Sequence, residues 1–164
     1  MRALRLAGAC LVFVAVFVAA GRVGAIESMA REAFLMDLAT ESVLMEKNAD
    51  TPMAPASMSK LMTVYMILER LQDGQLSLDD TFSVSENAWR KGGAKSGSST
   101  MFLNPGSRVR IEDLLRGIIV QSGNDASIVI AESLSGSEEQ FALEMNLRAR
   151  KLGLEQTHFV NATG

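Results

Sequence analysis

The chain has 164 residues, 48% of them apolar, with a formal net charge of −3. That length suits one domain with a sizeable core. The apolar content excludes a disordered chain, and the slightly acidic balance gives no footprint for nucleic-acid binding.

Residues 1–25 read as a secretory signal peptide. Arg2 and Arg5 give a positive start, Leu6 to Ala20 is an unbroken run of apolar and small residues, and Val23-Gly24-Ala25 offers a small-residue cleavage point. The run is about 15 residues, short of the ~20 that span a bilayer, and Arg22 closes it. Cys10 lies near the start of the run, which argues against lipid attachment there. Without Arg2, Arg5 and Arg22 the remainder keeps 13 of the 16 basic residues against 19 acidic ones, net −6. It has no cysteine and one histidine, His158. Disulfides, thiolate chemistry and a His-rich metal site are thereby excluded, so chemistry falls to Ser, Thr, Lys, Asp, Glu or Asn.

In chain order, residues 33–47 (AFLMDLATESVLMEK) predict two strands joined by a polar turn at Ala39 to Ser42. The run Ala33 to Met36 is continuously apolar, which suggests burial on both faces. Asn48 to Pro55 is a loop. Ser57 to Leu71 predicts a helix, apolar almost all round and therefore central, ended by Asp73-Gly74. Residues 84–107 are expected to be a long irregular stretch rich in Gly and Ser, with Gly92 to Ser99 as a mobile edge or lid near Ser57. Ile111 to Gln121 predicts a helix opened by Glu112 and Asp113. Ser127 to Leu134 continues helical after a short break. Ser137 caps a further helix to Leu152, stopped by Gly153. Trp89 and His158 read as structural, and the ten methionines mostly as core filler.

The tetrad Ser57-Met58-Ser59-Lys60 carries the chemistry. As a plain helix cap, Ser57 would be ordinary, but a capping box ends in Glu or Gln. Lys60 in the first turn opposes the helix dipole instead. A catalytic role explains both residues. A serine hydroxyl needs a base within hydrogen-bond reach, and a lysine serves if burial and positive surroundings lower its pKa. Backbone N–H groups at a helix start are also placed to stabilise an oxyanion. Ser122-Gly123-Asn124, just after an apolar helix, reads alone as a turn. Beside Ser57 and Lys60 it offers a second hydroxyl for proton relay and an amide to bind a peptide backbone.

S-x-x-K followed by S-x-N resembles the signature of penicillin-binding proteins and serine β-lactamases, which continues with K-T-G. Pro55 to Thr63 (PASMSKLMT) resembles the nucleophile segment of low-molecular-weight D,D-carboxypeptidases. Ser96 to Gly106 (SGSSTMFLNPG) resembles the loop between their first two motifs, and Gln121 to Ala126 (QSGNDA) their second motif. Leu152 to Leu154 with Thr157 to Phe159 resembles the family's segment downstream of that second motif. The resemblance runs from about Ala33 to Gly164.

This resemblance implies an α+β fold of the serine β-lactamase/DD-peptidase type, an antiparallel sheet flanked by a helical cluster. Residues 26–164 would be the N-terminal part of the penicillin-binding catalytic domain. It implies that Ser57 attacks the carbonyl between the terminal D-alanines of a peptidoglycan stem peptide. Lys60 would take its proton, Ser122 would pass that proton to the departing D-alanine, and Asn124 would hold the acyl peptide. β-Lactams would acylate Ser57 in the same way. No cofactor or metal is implied. The expected location is the periplasm or the outer face of the cytoplasmic membrane, with association through a C-terminal region beyond these residues.

The sequence contains no K-T-G, the motif that would bring the substrate-carboxylate site and half of the oxyanion hole. Much of the sheet is therefore expected to be missing from a truncated chain that would be a poor catalyst alone. The alternatives are a natural short form that binds peptidoglycan without cleaving it, a transpeptidase using the same residues, or a serine β-lactamase. The class A form of the last is disfavoured, since no Glu is followed four positions later by Asn.

Overall fold

The computed structural model describes residues 28–164, in two units. The signal-peptide expectation for residues 1–25 lies outside the described residues.

The first unit, up to Met53, is a hairpin. Strand β1 (Ala33–Met36) pairs antiparallel with β2 (Val43–Lys47), with a register shift between Leu35 and Met36. The Asp37 carboxylate organises the turn, accepting from the N–H groups of Ala39 and Thr40 and from the Thr40 hydroxyl. These bonds hold its pKa below the usual aspartate value. Both strands fall where the apolar pattern put them, but double-sided burial of the first does not hold. Phe34 is 56% exposed, and Leu35 and Met36 are exposed too. A continuous apolar run records which surface can be buried; a strand with one neighbour in a two-stranded sheet leaves its faces open.

The second unit, Ala54–Gly164, is a helical cluster with a small ribbon. A 3-10 turn (Ala56–Ser59) leads into α1 (Lys60–Gln72). Strand β3 (Thr81–Ser83) pairs antiparallel with β4 (Arg108–Arg110). Between them lie α2 (Glu86–Gly92) and a 3-10 turn at Ala94–Ser96. Then come α3 (Ile111–Gln121), α4 (Asn124–Ser135) and α5 (Glu138–Lys151).

The stretch expected to be irregular thus contains a helix. Ser85 caps α2, its hydroxyl accepting from Ala88 N–H at 2.9 Å and bonding Glu132 of α4. Nor is the start of the expected lid free. Gly92 and Gly93 are buried, and a Cβ on Gly92 would overlap the backbone nitrogen of Asp125. Tertiary contact overrides a composition that alone favours loop.

Two packed clusters form the core. Ile67 of α1, Ile111, Leu114 and Ile118 of α3, and Ile128 to Ile130 of α4 make the first. Met62 and Met66 of α1, Ala131 of α4, and Phe141, Met145 and Ala149 of α5 make the second, closed by Phe159 and Ala162. Helix α4 runs between them, and seven of its first eight residues are buried. Helix α1 is less central than expected. Its Met62, Met66 and Ile67 are buried, while Leu61, Tyr65 and Leu68 are exposed. The methionines divide likewise: Met62, Met66 and Met145 fill core, whereas Met29, Met36, Met53 and Met58 are exposed. Trp89 is half-buried with the Lys95 ammonium 5.3 Å from its ring centre, and His158 is exposed.

Candidate active site

Ser57 is not the cap of an α-helix. It lies inside the 3-10 turn, after Ala56, which takes a left-handed φ of 47°. The tighter 3-10 winding brings residues three apart nearly into line, and Lys60 follows as the first residue of α1. Lys60 Nζ donates to Ser57 Oγ at 3.0 Å. Ser57 is exposed, whereas Lys60 is 4% exposed. One end of the pair is open to an incoming molecule and the other is dry. Burial lowers the Lys60 pKa from the ordinary 10.5, since the ammonium loses hydration. Among the described residues no carboxylate pairs with it to oppose that shift.

A second bond fixes the lysine. Nζ also donates to the Thr163 carbonyl at 2.9 Å. That carbonyl is delivered by a stitched segment. Asn146 of α5, itself buried, accepts from Phe159 N–H at 2.8 Å and donates to the Phe159 carbonyl at 2.7 Å. Thr63, one turn beyond Lys60 in α1, donates to the Ala162 carbonyl at 2.8 Å. Glu138 accepts from Ala162 N–H, and Asn161 Oδ1 accepts from Thr163 N–H and Gly164 N–H.

Ser122 and Asn124 lie at the junction of α3 and α4. Ser122 ends α3 in a left-handed conformation (φ 55°, ψ 35°), and Asn124 begins α4. Both are partly exposed. Asn124 N–H donates to the Ser99 carbonyl at 2.8 Å, joining the junction to the segment before β4. Neither side chain hydrogen-bonds Ser57 or Lys60 among the described residues. Thus one pair of the four candidates is directly connected, and the other two sit together on a separate turn. Sequence reasoning passed over Asp125, buried behind that turn, and the Thr163 carbonyl. The run of Gln121 to Ala126 contained Asp125, but nothing in its spacing distinguished it from a helix-start acid. A backbone carbonyl carries no residue signature at all.

Among the described residues no three His, Cys, Asp or Glu side chains gather as a metal site requires. A cleft lined by Met66, Arg70, Glu144, Leu147, Arg148 and Lys151 lies between α1 and α5 and contains none of the four candidates.

An exposed serine hydroxyl bonded to a buried lysine that has no carboxylate partner among the described residues can serve acyl transfer, with the lysine as base. Known proteins similar to this chain are D-alanyl-D-alanine peptidases. The family model for D-alanyl-D-alanine carboxypeptidase, peptidase S11, matches residues 19–164. The chain belongs to that family. It is 46% identical over 136 residues to the D-alanyl-D-alanine carboxypeptidase DacC of Escherichia coli K12, covering 82% of this chain and 34% of that protein. The structure of the D-alanyl-D-alanine carboxypeptidase DacD from Francisella tularensis superposes with a TM-score of 0.78 at 38% identity, over 88% of this chain and 34% of that one. Penicillin-binding protein 5 from Haemophilus influenzae superposes with a TM-score of 0.79 at 35% identity, over 87% of this chain and 41% of that one. The α+β fold of the penicillin-binding DD-peptidases is thereby established for the part that the chain covers. The chain spans about a third of the length of the curated relatives it matches.

Proposed function

We propose that the full-length protein is an exported serine D,D-carboxypeptidase that trims the terminal D-alanine from peptidoglycan stem peptides through an acyl-enzyme on Ser57. The observation that carries this reading is the 3.0 Å bond between an exposed Ser57 hydroxyl and a buried Lys60 amine. Ser57 Oγ attacks the carbonyl between the two terminal D-alanines as its proton passes to neutral Lys60. Ser122 hands a proton to the amine of the departing D-alanine. Asn124 binds the backbone of the acylated peptide, and water then releases it from Ser57. A β-lactam mimics the scissile amide and acylates the same oxygen. Residues 1–25 direct export and are removed, and residues 26–164 form the N-terminal part of the penicillin-binding domain.

The test uses the full-length protein with a fluorescent penicillin, alongside release of free D-alanine from a pentapeptide. Covalent labelling and D-alanine release are expected in the wild type, and both should vanish in Ser57→Ala. Labelling that survives this substitution would remove Ser57 from the mechanism. D-alanine release that stops at one equivalent per protein and resumes on addition of an amine would point to an amine acceptor in place of water.

A further inference from the structure

Asp125 follows Asn124 directly and is fully buried. Its carboxylate accepts four hydrogen bonds. Oδ2 takes the Thr100 hydroxyl at 2.6 Å and Leu103 N–H at 3.1 Å, while Oδ1 takes Met101 N–H at 3.0 Å and Ala126 N–H at 2.9 Å. Among the described residues no cation pairs with it. A buried carboxylate held only by donors depends on every one of them. Three of the four come from a single segment 22 to 25 residues upstream.

The result is a clamp. Met101 and Leu103 both turn their N–H groups inward to Asp125. Phe102 between them takes a left-handed φ of 59° and stands 71% exposed. The Asn124 N–H to Ser99 carbonyl bond closes the same junction from the other side. Gly123 is tightly enclosed: a Cβ would sit 3.2 Å from Asp125 Oδ1 and from the Gly117 carbonyl oxygen, and 3.4 Å from Met101 N. Ser122 and Asn124 therefore lie on a turn whose backbone is fixed by Asp125.

We infer that Asp125 is a positioning residue. Its carboxylate locks Ser99–Leu103 onto the start of α4, and so fixes the backbone that carries the Ser122 hydroxyl and the Asn124 carboxamide into the acylation proposed for Ser57. Asp125 touches no reacting atom. The inference rests on the reading of Ser57 as nucleophile.

The experiment tracks acylation of the full-length protein by a labelled penicillin over a range of concentrations, which separates encounter affinity from the first-order acylation rate. Asp125→Asn, Thr100→Val and the double variant are compared with wild type, each with its thermal unfolding curve. Asp125→Asn is expected to slow first-order acylation tenfold or more at a temperature where it is folded. Thr100→Val should slow it less, and the double variant should lose less than the product of the two, because both break one hydrogen bond. An Asp125→Asn protein that unfolds earlier yet acylates at the wild-type first-order rate would overturn the inference. If Asp125→Asn does not fold, Thr100→Val decides: a threefold or greater loss in rate supports the clamp, and the wild-type rate overturns it. A wild-type protein that takes no label would instead overturn the nucleophile assignment, and this inference with it.

Discussion

Lys60 donates to the Thr163 carbonyl at 2.9 Å across 103 residues of sequence. With Ser57 Oγ on the same nitrogen, this leaves the amine little freedom and orients its third donor position. On the proposed reading, a lysine so held is pre-organised for its role as base, with the cost of ordering its long stem already met in folding.

Replacing Lys60 by Met tests that role. The thioether matches the stem in length and removes the amine. Acylation of the full-length protein should fall by about 10²–10⁴-fold, the usual range for a lost general base. Circular dichroism should remain native, since no buried ammonium has to be accommodated. Labelling kinetics near wild type would exclude Lys60 as the base.

The pH dependence has a definite sign. Burial lowers the Lys60 pKa from 10.5, so the neutral, basic form accumulates at lower pH than for a free lysine. First-order acylation should rise along a limb centred below 10.5, and Lys60→Met should lack that limb. Linkage gives the matching stability effect. The folded state binds fewer protons than the unfolded state between the lowered pKa and 10.5, so this group's contribution is full above 10.5 and is lost as pH falls through the folded value. An acylation profile flat across this window would contradict the assignment.

Ser122 separates strain from chemistry. Its left-handed backbone (φ 55°) costs a non-glycine residue roughly 1–2 kcal/mol, while glycine at the site loses about 0.5–1 kcal/mol through backbone entropy. Ser122→Gly should therefore stay within about 1 kcal/mol of wild type in urea unfolding. The same variant should acylate about 10²-fold more slowly or worse if the hydroxyl relays a proton. Unchanged acylation would leave Ser122 a turn residue and nothing more.

Asn146 carries the stitch that brings Thr163 to Lys60. Asn146→Ala leaves the Phe159 N–H and carbonyl without their partners in a buried place. Each orphan costs about 1–3 kcal/mol, so a loss of roughly 2–6 kcal/mol is expected by chemical denaturation. A change below about 0.5 kcal/mol, the scale of a neutral surface substitution, would mean that the segment is held by other contacts.

Gly92 gives the last test. A Cβ there would overlap the Asp125 backbone, so Gly92→Ala should destabilise by about 1–3 kcal/mol, as overpacking does. A free loop would tolerate the change.

The helices were legible where one face is regularly apolar. Ile111–Gln121 and the Ser137-capped helix appear where their spacing and caps place them. The helix Glu86–Gly92 was hidden because seven residues are too few to display a period, and its Gly-rich flank argues for loop. The hairpin was legible, but its exposure was not, because apolar character does not say what covers it. Among the candidates, Ser57 and Lys60 stood out by their side-chain types and spacing, and Ser122 and Asn124 by their pairing with them and the resemblance to the S-x-N motif. Asp125 and Thr163 did not, because their partners are distant in sequence and one of them acts through its backbone.

The stitch at Phe159–Gly164 also has a consequence in time. Ser57 and Lys60 emerge from the ribosome early, but the carbonyl that holds Lys60 emerges 103 residues after it. A chain grows from its N-terminus at about 5–20 residues per second, so for several seconds the serine exists without its held lysine. The Lys60 amine in that interval is solvated and protonated near neutral pH, and Ser57 is an ordinary hydroxyl. On the proposed reading of Ser57 and Lys60, closure of this long loop is one condition for a reactive serine, and a nascent or unfolded chain does not meet it.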